Sequence, residues 1–282
     1  MRLSLCTPML TLCLLFSSMA NAFGQTPAPT YPSVPIVGSE LRALKSSHTG
    51  RDYDLYIKVP GEYGTSKDKK YPVLYVLDGQ WDFKLLDSVY GGLFYDKFVP
   101  AMIIVAVTYS GANADYDGLR AMDYTPTATS QVKGSGGGPK FLSFLKSELI
   151  PFIETNYRSD PSQRVLLGSS YGGLFTLYAM FADPGLFGGY ISASPAVPYN
   201  DRFSFKQEAE YFGKRKDLPV KLYLAVGERE PLAQPVKEFI QLLSGRNYKG
   251  LKMQTAVIAG ERHASNKPEL YNRGLRYMFE QP

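Results

Sequence analysis

The chain has 282 residues, 44% of them hydrophobic and 20% charged, a composition that suits one globular domain with a full core. Its charge excess is mild and scattered, with no clustered basic face of the kind nucleic acid requires. Both cysteines, Cys6 and Cys13, fall in the first 22 residues, so a chain without that segment has no disulfide, cysteine nucleophile or thiolate metal site.

Those 22 residues read as a signal peptide. Arg2 precedes a largely apolar run from Leu3 to Phe16, and Ser17-Ser18-Met19-Ala20-Asn21-Ala22 gives a small-x-small end. The apolar run is too short to span a bilayer. Cleavage after Ala22 removes only Arg2 among the charged residues, leaving 30 basic against 26 acidic, a net +4. The expectation is a periplasmic or secreted protein without stable membrane insertion. Residues 23–39 then form a flexible N-terminal segment rich in Pro, Ala and Thr, and 40–282 form one domain.

Leu41–Ser47 and Tyr53–Val59 predict an antiparallel hairpin, the second strand alternating Tyr53, Leu55, Ile57 and Val59 on one face. His48 falls in the hairpin turn, a structural position. Val73–Leu77 is a near-continuous apolar run, the pattern of a strand buried on both faces. It ends in a turn, Asp78-Gly79-Gln80-Trp81, before a helix over Phe83–Tyr95. A second buried strand covers Ala101–Val107. A long loop, Tyr109–Gly138, ends in the glycine run Gly134-Ser135-Gly136-Gly137-Gly138, read as solvated. Lys140–Tyr157 predicts an amphipathic helix kinked at Pro151.

Val165–Leu167 leads into Gly168-Ser169-Ser170-Tyr171-Gly172, and a helical segment, Leu174–Phe181, follows at once. A Gly-x-Ser-x-Gly pentapeptide between a strand and a helix is the setting of a nucleophile elbow, with Ser170 central. Further strands are predicted at Gly188–Ala193, Val220–Val226 and Leu251–Ile258. Helices are predicted at Phe203–Lys216, Val236–Leu243 and Pro268–Glu280. Strands alternating with helices give a mostly parallel sheet covered on both faces, whose sites lie at the carboxyl ends of its strands.

One strand therefore ends at Ser170, a later one before Glu228 and Glu230, and the last before His263. Nucleophile, acid, histidine is the chain order of the α/β-hydrolase scaffold. A serine hydroxyl needs a neighbouring base, and a carboxylate fixes that base's tautomer. Position alone leaves Glu228 and Glu230 open as the acid. The developing oxyanion needs two backbone N–H groups. Tyr171 supplies one, and the Asp78–Trp81 turn the other, with Gln80 ahead of Trp81. Two histidines and no thiol in the processed chain speak against a catalytic zinc, and the chemistry calls for no cofactor.

L-D-G-Q-W, R-x-x-D-Y-T-P, G-S-S-Y-G-G-L, S-A-S-P, G-x-R-E-P and the late E-R-H resemble the putative-esterase family of α/β-hydrolases, over about Leu41 to Phe279. That family includes enterochelin and other trilactone siderophore esterases, feruloyl and acetyl-xylan esterases, formylglutathione hydrolase and the mycolyltransferases. The resemblance implies Ser170, His263 and Glu230 as the catalytic triad, the acid chosen because G-x-R-E-P is similar to the enterochelin-esterase form of that loop. Some trilactone esterases of this kind work as a Ser–His dyad. It further implies Gln80 and Tyr171 as oxyanion donors and Arg120 as a substrate-positioning residue, against a salt bridge from Arg120 to Asp123. Where relatives often follow Ser-Pro with tryptophans, this chain has Ala196-Val197-Pro198-Tyr199.

The implied activity is that of an exported serine esterase acting on a small-molecule ester, with a trilactone siderophore as the leading substrate. Trp81, Tyr109, Tyr171 and Tyr199 are the candidates to stack catechol rings, and Arg120 or Arg229 to meet their charge. Acyl transfer by the same triad, feruloyl or acetyl carbohydrate esterase activity, and a noncatalytic binding module are the alternatives.

Overall fold

Tyr71–Val76 forms the strand at the heart of the protein, β3, and every one of its residues is buried. Alternate side chains go to opposite faces, so Val73 and Tyr75 enter one apolar cluster while Leu74 and Val76 enter another. The computed structural model describes residues 34–279. The signal peptide and most of the N-terminal segment read from the sequence lie outside them.

Eight strands make one sheet in the order β1-β2-β4-β3-β5-β6-β7-β8. The predicted hairpin is β1 (Ser39–Lys45) and β2 (Asp52–Lys58), antiparallel, with Ser39 opposite Lys58. β2 also pairs antiparallel with β4 (Ile103–Tyr109). From β4 through β3, β5 (Ser159–Ser169), β6 (Gly189–Ala193), β7 (Lys221–Gly227) and β8 (Lys252–Ile258) every pairing is parallel. Parallel strands need crossovers, and the crossing helices cover both faces, as the sequence led us to expect.

α1 (Gly79–Tyr95) and α8 (Lys267–Phe279) cover one face through Phe83, Leu86, Leu270 and Leu275. α3 (Gly138–Phe144), α5 (Tyr171–Ala182) and α7 (Ala233–Arg246) cover the other, with Phe141, Phe144, Phe175 and Phe239 in its cluster.

Four sequence expectations are corrected. α1 begins at Gly79, so only Asp78 of the expected turn stands outside the helix. Asp78 takes φ 57°, ψ 43°, and that left-handed step turns the chain from strand to helix without a loop. The long loop contains α2 (Tyr116–Asp123), capped by the Asp115 side chain on Gly118 N–H. Of its glycine run, Gly134 is exposed as expected, but Gly136–Gly138 pack closely against the backbone of the preceding segment. A β-carbon on Gly136 would stand 2.6 Å from Ala128 N, and one on Gly137 2.8 Å from Met122 O.

The helix expected to kink at Pro151 instead divides earlier. Leu145–Leu149 is a π-turn in which Ile150 N–H reaches back to Leu145 O, and α4 (Ile150–Asn156) then takes Pro151 in its first turn. A proline lacks the N–H that the interior of a helix uses, and the first turn does not need it. α6 (Tyr199–Lys214) opens with three left-handed residues, Asn200, Asp201 and Arg202.

Candidate active site

At the carboxyl end of β5 the chain turns from Ser169 into α5 through Ser170, whose φ of 61° and ψ of −117° lie outside the ordinary allowed regions. Strain of about 1–3 kcal/mol at such a residue persists only where neighbours enforce it. Ser170 N–H donates to Ala193 O at 3.0 Å, and its carbonyl accepts from Leu174 and Ala196 N–H at 2.9 and 3.1 Å. The glycines are a steric necessity. A β-carbon on Gly168 would lie 2.3 Å from Gly172 O, and one on Gly173 2.7 Å from Ala193 O.

β6 continues the same edge. Ala193 lies beside Ser169 on one side and Ala225 of β7 on the other. Ser194, at φ 41°, donates its N–H to Ala225 O at 2.8 Å. One strand further, Gly227 ends β7 opposite Ile258 of β8. Glu230 and His263 come from the loops after those two strands, and Glu230 Oε2 is hydrogen-bonded to His263 Nδ1.

The second Glu230 oxygen is held by three donors. Gly227 N–H and Ser194 Oγ–H reach Oε1 at 2.6 Å each, and the Asn266 amide reaches it at 2.9 Å. Asn266 also donates to Ser194 Oγ at 2.8 Å. The Glu230 side chain has no solvent exposure, whereas that of His263 is 43% exposed. Burial pushes the Glu230 carboxyl up, but the bonds from His263, Ser194 and Gly227 outweigh it and hold it below its ordinary value.

A carboxylate on Nδ1 places the ring proton there and leaves Nε2 as the acceptor. No hydrogen bond joins the Ser170 hydroxyl to the ring. Ser170 and His263 both follow the carboxyl ends of parallel strands, β5 and β8, on the same rim of the sheet. Glu228 has a different position. It is exposed, and its Oε2 accepts Gly260 N–H at 2.8 Å, bracing the loop before His263. His48 lies on the exposed hairpin turn, its N–H on Ser46 Oγ at 3.2 Å.

The two expected oxyanion donors both begin helices. Tyr171 is the first residue of α5 and Gln80 the second of α1, positions whose N–H groups have no carbonyl in their own helix. Trp81 N–H differs, since it donates to Asp78 O at 3.0 Å. The Gln80 side chain is fixed by Thr108 Oγ1 at 2.7 Å. Gly79 allows the approach, because a β-carbon there would stand 3.1 Å from Ala106 and Val107.

The expected ring platform is thinner than the sequence suggested. Tyr109 is 3% exposed and Tyr199 8%, with Tyr199 Oη bonded to Thr127 O at 2.6 Å, so neither ring has a free face for a ligand. Trp81 is 42% exposed and Tyr171 is half-buried.

Arg120 does not meet Asp123. Its Nε and Nη2 form a fork on the two oxygens of Asp78, 2.8 Å each, and Nη2 also reaches Ser169 O at 3.3 Å. Asp123 is taken instead by Arg51 and the Tyr53 hydroxyl, both at 2.7 Å. Sequence reasoning gave no role to Asp78, Ser194 or Asn266. The S-A-S-P string contained Ser194, but nothing in its spacing tied it to Glu230.

The family model described as Putative esterase matches residues 46–266. The ferri-bacillibactin esterase BesA of Bacillus subtilis is 28% identical over 273 residues, 90% of this chain and 93% of its own length. The siderophore triacetylfusarinine C esterase of Aspergillus fumigatus is 28% identical over 69% of this chain and 66% of its own. Among solved structures, the BES protein of Bacillus cereus superposes with a TM-score of 0.80 at 27% identity, covering 91% of this chain and all of the other. An IroE-like serine hydrolase from Shewanella oneidensis gives 0.77 at 25% identity over 86% of this chain and 80% of the other. The architecture they share with this chain is the α/β-hydrolase fold.

Proposed function

The chain belongs to the putative-esterase family, and on that premise we propose that it is an exported serine esterase cleaving carboxylic esters through an acyl-enzyme. One observation carries the reading. A fully buried carboxylate, held by three donors on one oxygen, spends the other on the Nδ1 of a half-exposed histidine, at the sheet edge where a strained serine tops β5. A structural ion pair has no need of a half-exposed ring, and a mere turn has no need of a serine at φ 61°.

In the proposed reaction Ser170 Oγ attacks the ester carbonyl and His263 Nε2 takes its proton. Glu230 stabilises the imidazolium without accepting that proton. The Gln80 and Tyr171 N–H groups receive the negative charge that develops on the carbonyl oxygen. Collapse of the tetrahedral intermediate breaks the ester C–O bond, and His263 protonates the departing alcohol. Water, deprotonated by the same ring, then attacks the acyl carbonyl, and Ser170 leaves with its proton restored.

For the substrate we favour a trilactone siderophore. Two relatives bear names of siderophore esterases. The half-buried Tyr171, which follows the nucleophile in the chain, and the exposed Trp81, which shares the Arg120 guanidinium with it, offer aromatic surface. Among the described residues no helix is long and apolar enough to cross a membrane. Export rests on the leader sequence.

The test is a panel of short aryl esters, a feruloyl ester and a catecholate trilactone, assayed with wild type, Ser170→Ala and His263→Ala. Hydrolysis by wild type should fall by roughly 10³-fold or more in both variants, because members of such a unit are lost together. A mild loss at His263 with a large one at Ser170 would remove the histidine from the mechanism.

A further inference from the structure

We propose that Arg120 and Asp78 form a positioning latch that sets the spacing of the two oxyanion donors, and that Arg120 acts through Asp78 rather than on the substrate. The proposal rests on the esterase reading above. Asp78 stands immediately before α1, two residues ahead of Gln80, and its left-handed backbone is a conformation that side chains other than Asn and Asp rarely adopt. Asp and Asn in that place ordinarily cap the following helix, yet the Asp78 carboxylate makes no cap bond. Both oxygens go to the Arg120 fork instead.

The fork reaches the other donor as well. Nη2 of Arg120 donates to Ser169 O, the carbonyl just before the nucleophile, and the guanidinium lies 5.5 Å from the Tyr171 ring. A β-carbon on Gly172 would meet Asp78 Oδ2 at 3.3 Å, so the carboxylate rests against the first turn of α5. The ion pair therefore sits between the helix starts that carry Gln80 N–H and Tyr171 N–H.

The rest of R-x-x-D-Y-T-P secures the latch from behind. Tyr124 Oη accepts Asp78 N–H at 3.2 Å, and Asp123 ties the end of α2 to Arg51 and Tyr53. Asp78 is 1% exposed and the Arg120 side chain 11%, so little of the guanidinium remains to meet a substrate.

Kinetics on a neutral aryl acetate, which offers an arginine no anion, test this with Arg120→Met, Arg120→Lys, Asp78→Asn and the double variant R120M/D78N. Arg120→Met and Asp78→Asn should each lower kcat about 100-fold with KM within about threefold, the scale of a displaced oxyanion donor. The double variant should lose no more than Arg120→Met alone, because the pair works as one unit. Arg120→Lys keeps the buried charge balanced, so its thermal midpoint should stay near wild type while kcat still falls, separating misplacement from misfolding.

Retained kcat on the neutral ester with a raised KM for an anionic one would overturn the latch and make Arg120 a substrate contact. Multiplying losses in the double variant would overturn it too. If wild type hydrolyses esters by way of Ser170 but the Arg120 variants are unaffected, only the latch falls. If wild type hydrolyses none of the panel, the esterase reading falls and takes the latch with it.

Discussion

Glu230, the proposed acid of the triad, is held by residues to which the proposed reaction gives no chemical step. Its folded-state carboxyl lies below the ordinary 4.5, so the stability it contributes is complete above about pH 4.5 and fades as the pH drops through the lower folded value. Ser194→Ala removes one of the three donors on Oε1 and lets that value rise. We expect Ser194→Ala to cost about 1–2 kcal/mol at neutral pH, by denaturant unfolding, and less at a pH low enough to protonate Glu230 in the folded protein. A cost that is the same at both pH values would detach Ser194 from the charge on Glu230. The two glutamates also part company here. Glu230→Gln should lower kcat by roughly 10²–10⁴-fold, the scale at which the wrong tautomer costs a triad, and Glu228→Gln should leave it within about threefold. Spacing in G-E-R-E-P could not separate them. Only the loop geometry, which sends one inward and the other to Gly260 N–H, does so.

At the scale of elements, what the sequence made legible were the segments whose physics is local. The apolar runs of β3 and β4 and the Gly-x-Ser-x-Gly turn announce themselves because burial on both faces and steric closeness leave few residue choices. The start of α1 was hidden because a left-handed Asp78 replaces a loop, and that conformation is enforced by Arg120 and Tyr124, more than forty residues downstream. The packed glycines at 136–138 were hidden for the same reason, since their close neighbours are Met122 to Ala128 rather than adjacent residues. Tyr109 and Tyr199 looked available only because periodicity cannot tell a ring in the core from one at its rim. Gly168→Ala tests the elbow as a unit. A β-carbon 2.3 Å from the Gly172 carbonyl oxygen cannot be absorbed by a side-chain shift. The variant should be destabilised by at least about 3 kcal/mol, or yield no soluble protein, in the range of severe overpacking. A well-folded Gly168→Ala with normal activity would mean that β5 and α5 do not meet as tightly as described.

Across the whole molecule, the helices on one face of the sheet are tied together where the two halves of the site begin. Asp82 of α1, buried and with its carboxyl pushed up by that burial, accepts from Lys267 at 2.8 Å and from the Tyr271 hydroxyl at 2.7 Å, both on α8. α1 carries Gln80, and α8 follows directly on the loop of His263, so the brace joins the proposed oxyanion donor to the proposed base along one face of the sheet. None of this part of the fold contains a thiol, because the only cysteines are Cys6 and Cys13. That makes export measurable on the intact protein. If the leader is removed after Ala22, the mature chain carries no cysteine, and denatured protein treated with a maleimide should keep its mass unchanged. A chain that retains the leader would gain two adducts. Intact mass spectrometry of the protein from a periplasmic or culture fraction should therefore show a single unlabelled species beginning at Phe23. Its thermal midpoint should be the same with and without reductant, since no disulfide can form. Recovery of a doubly labelled, full-length species with esterase activity in the cytosolic fraction would overturn the export half of the proposal and leave the chemistry at Ser170 untouched.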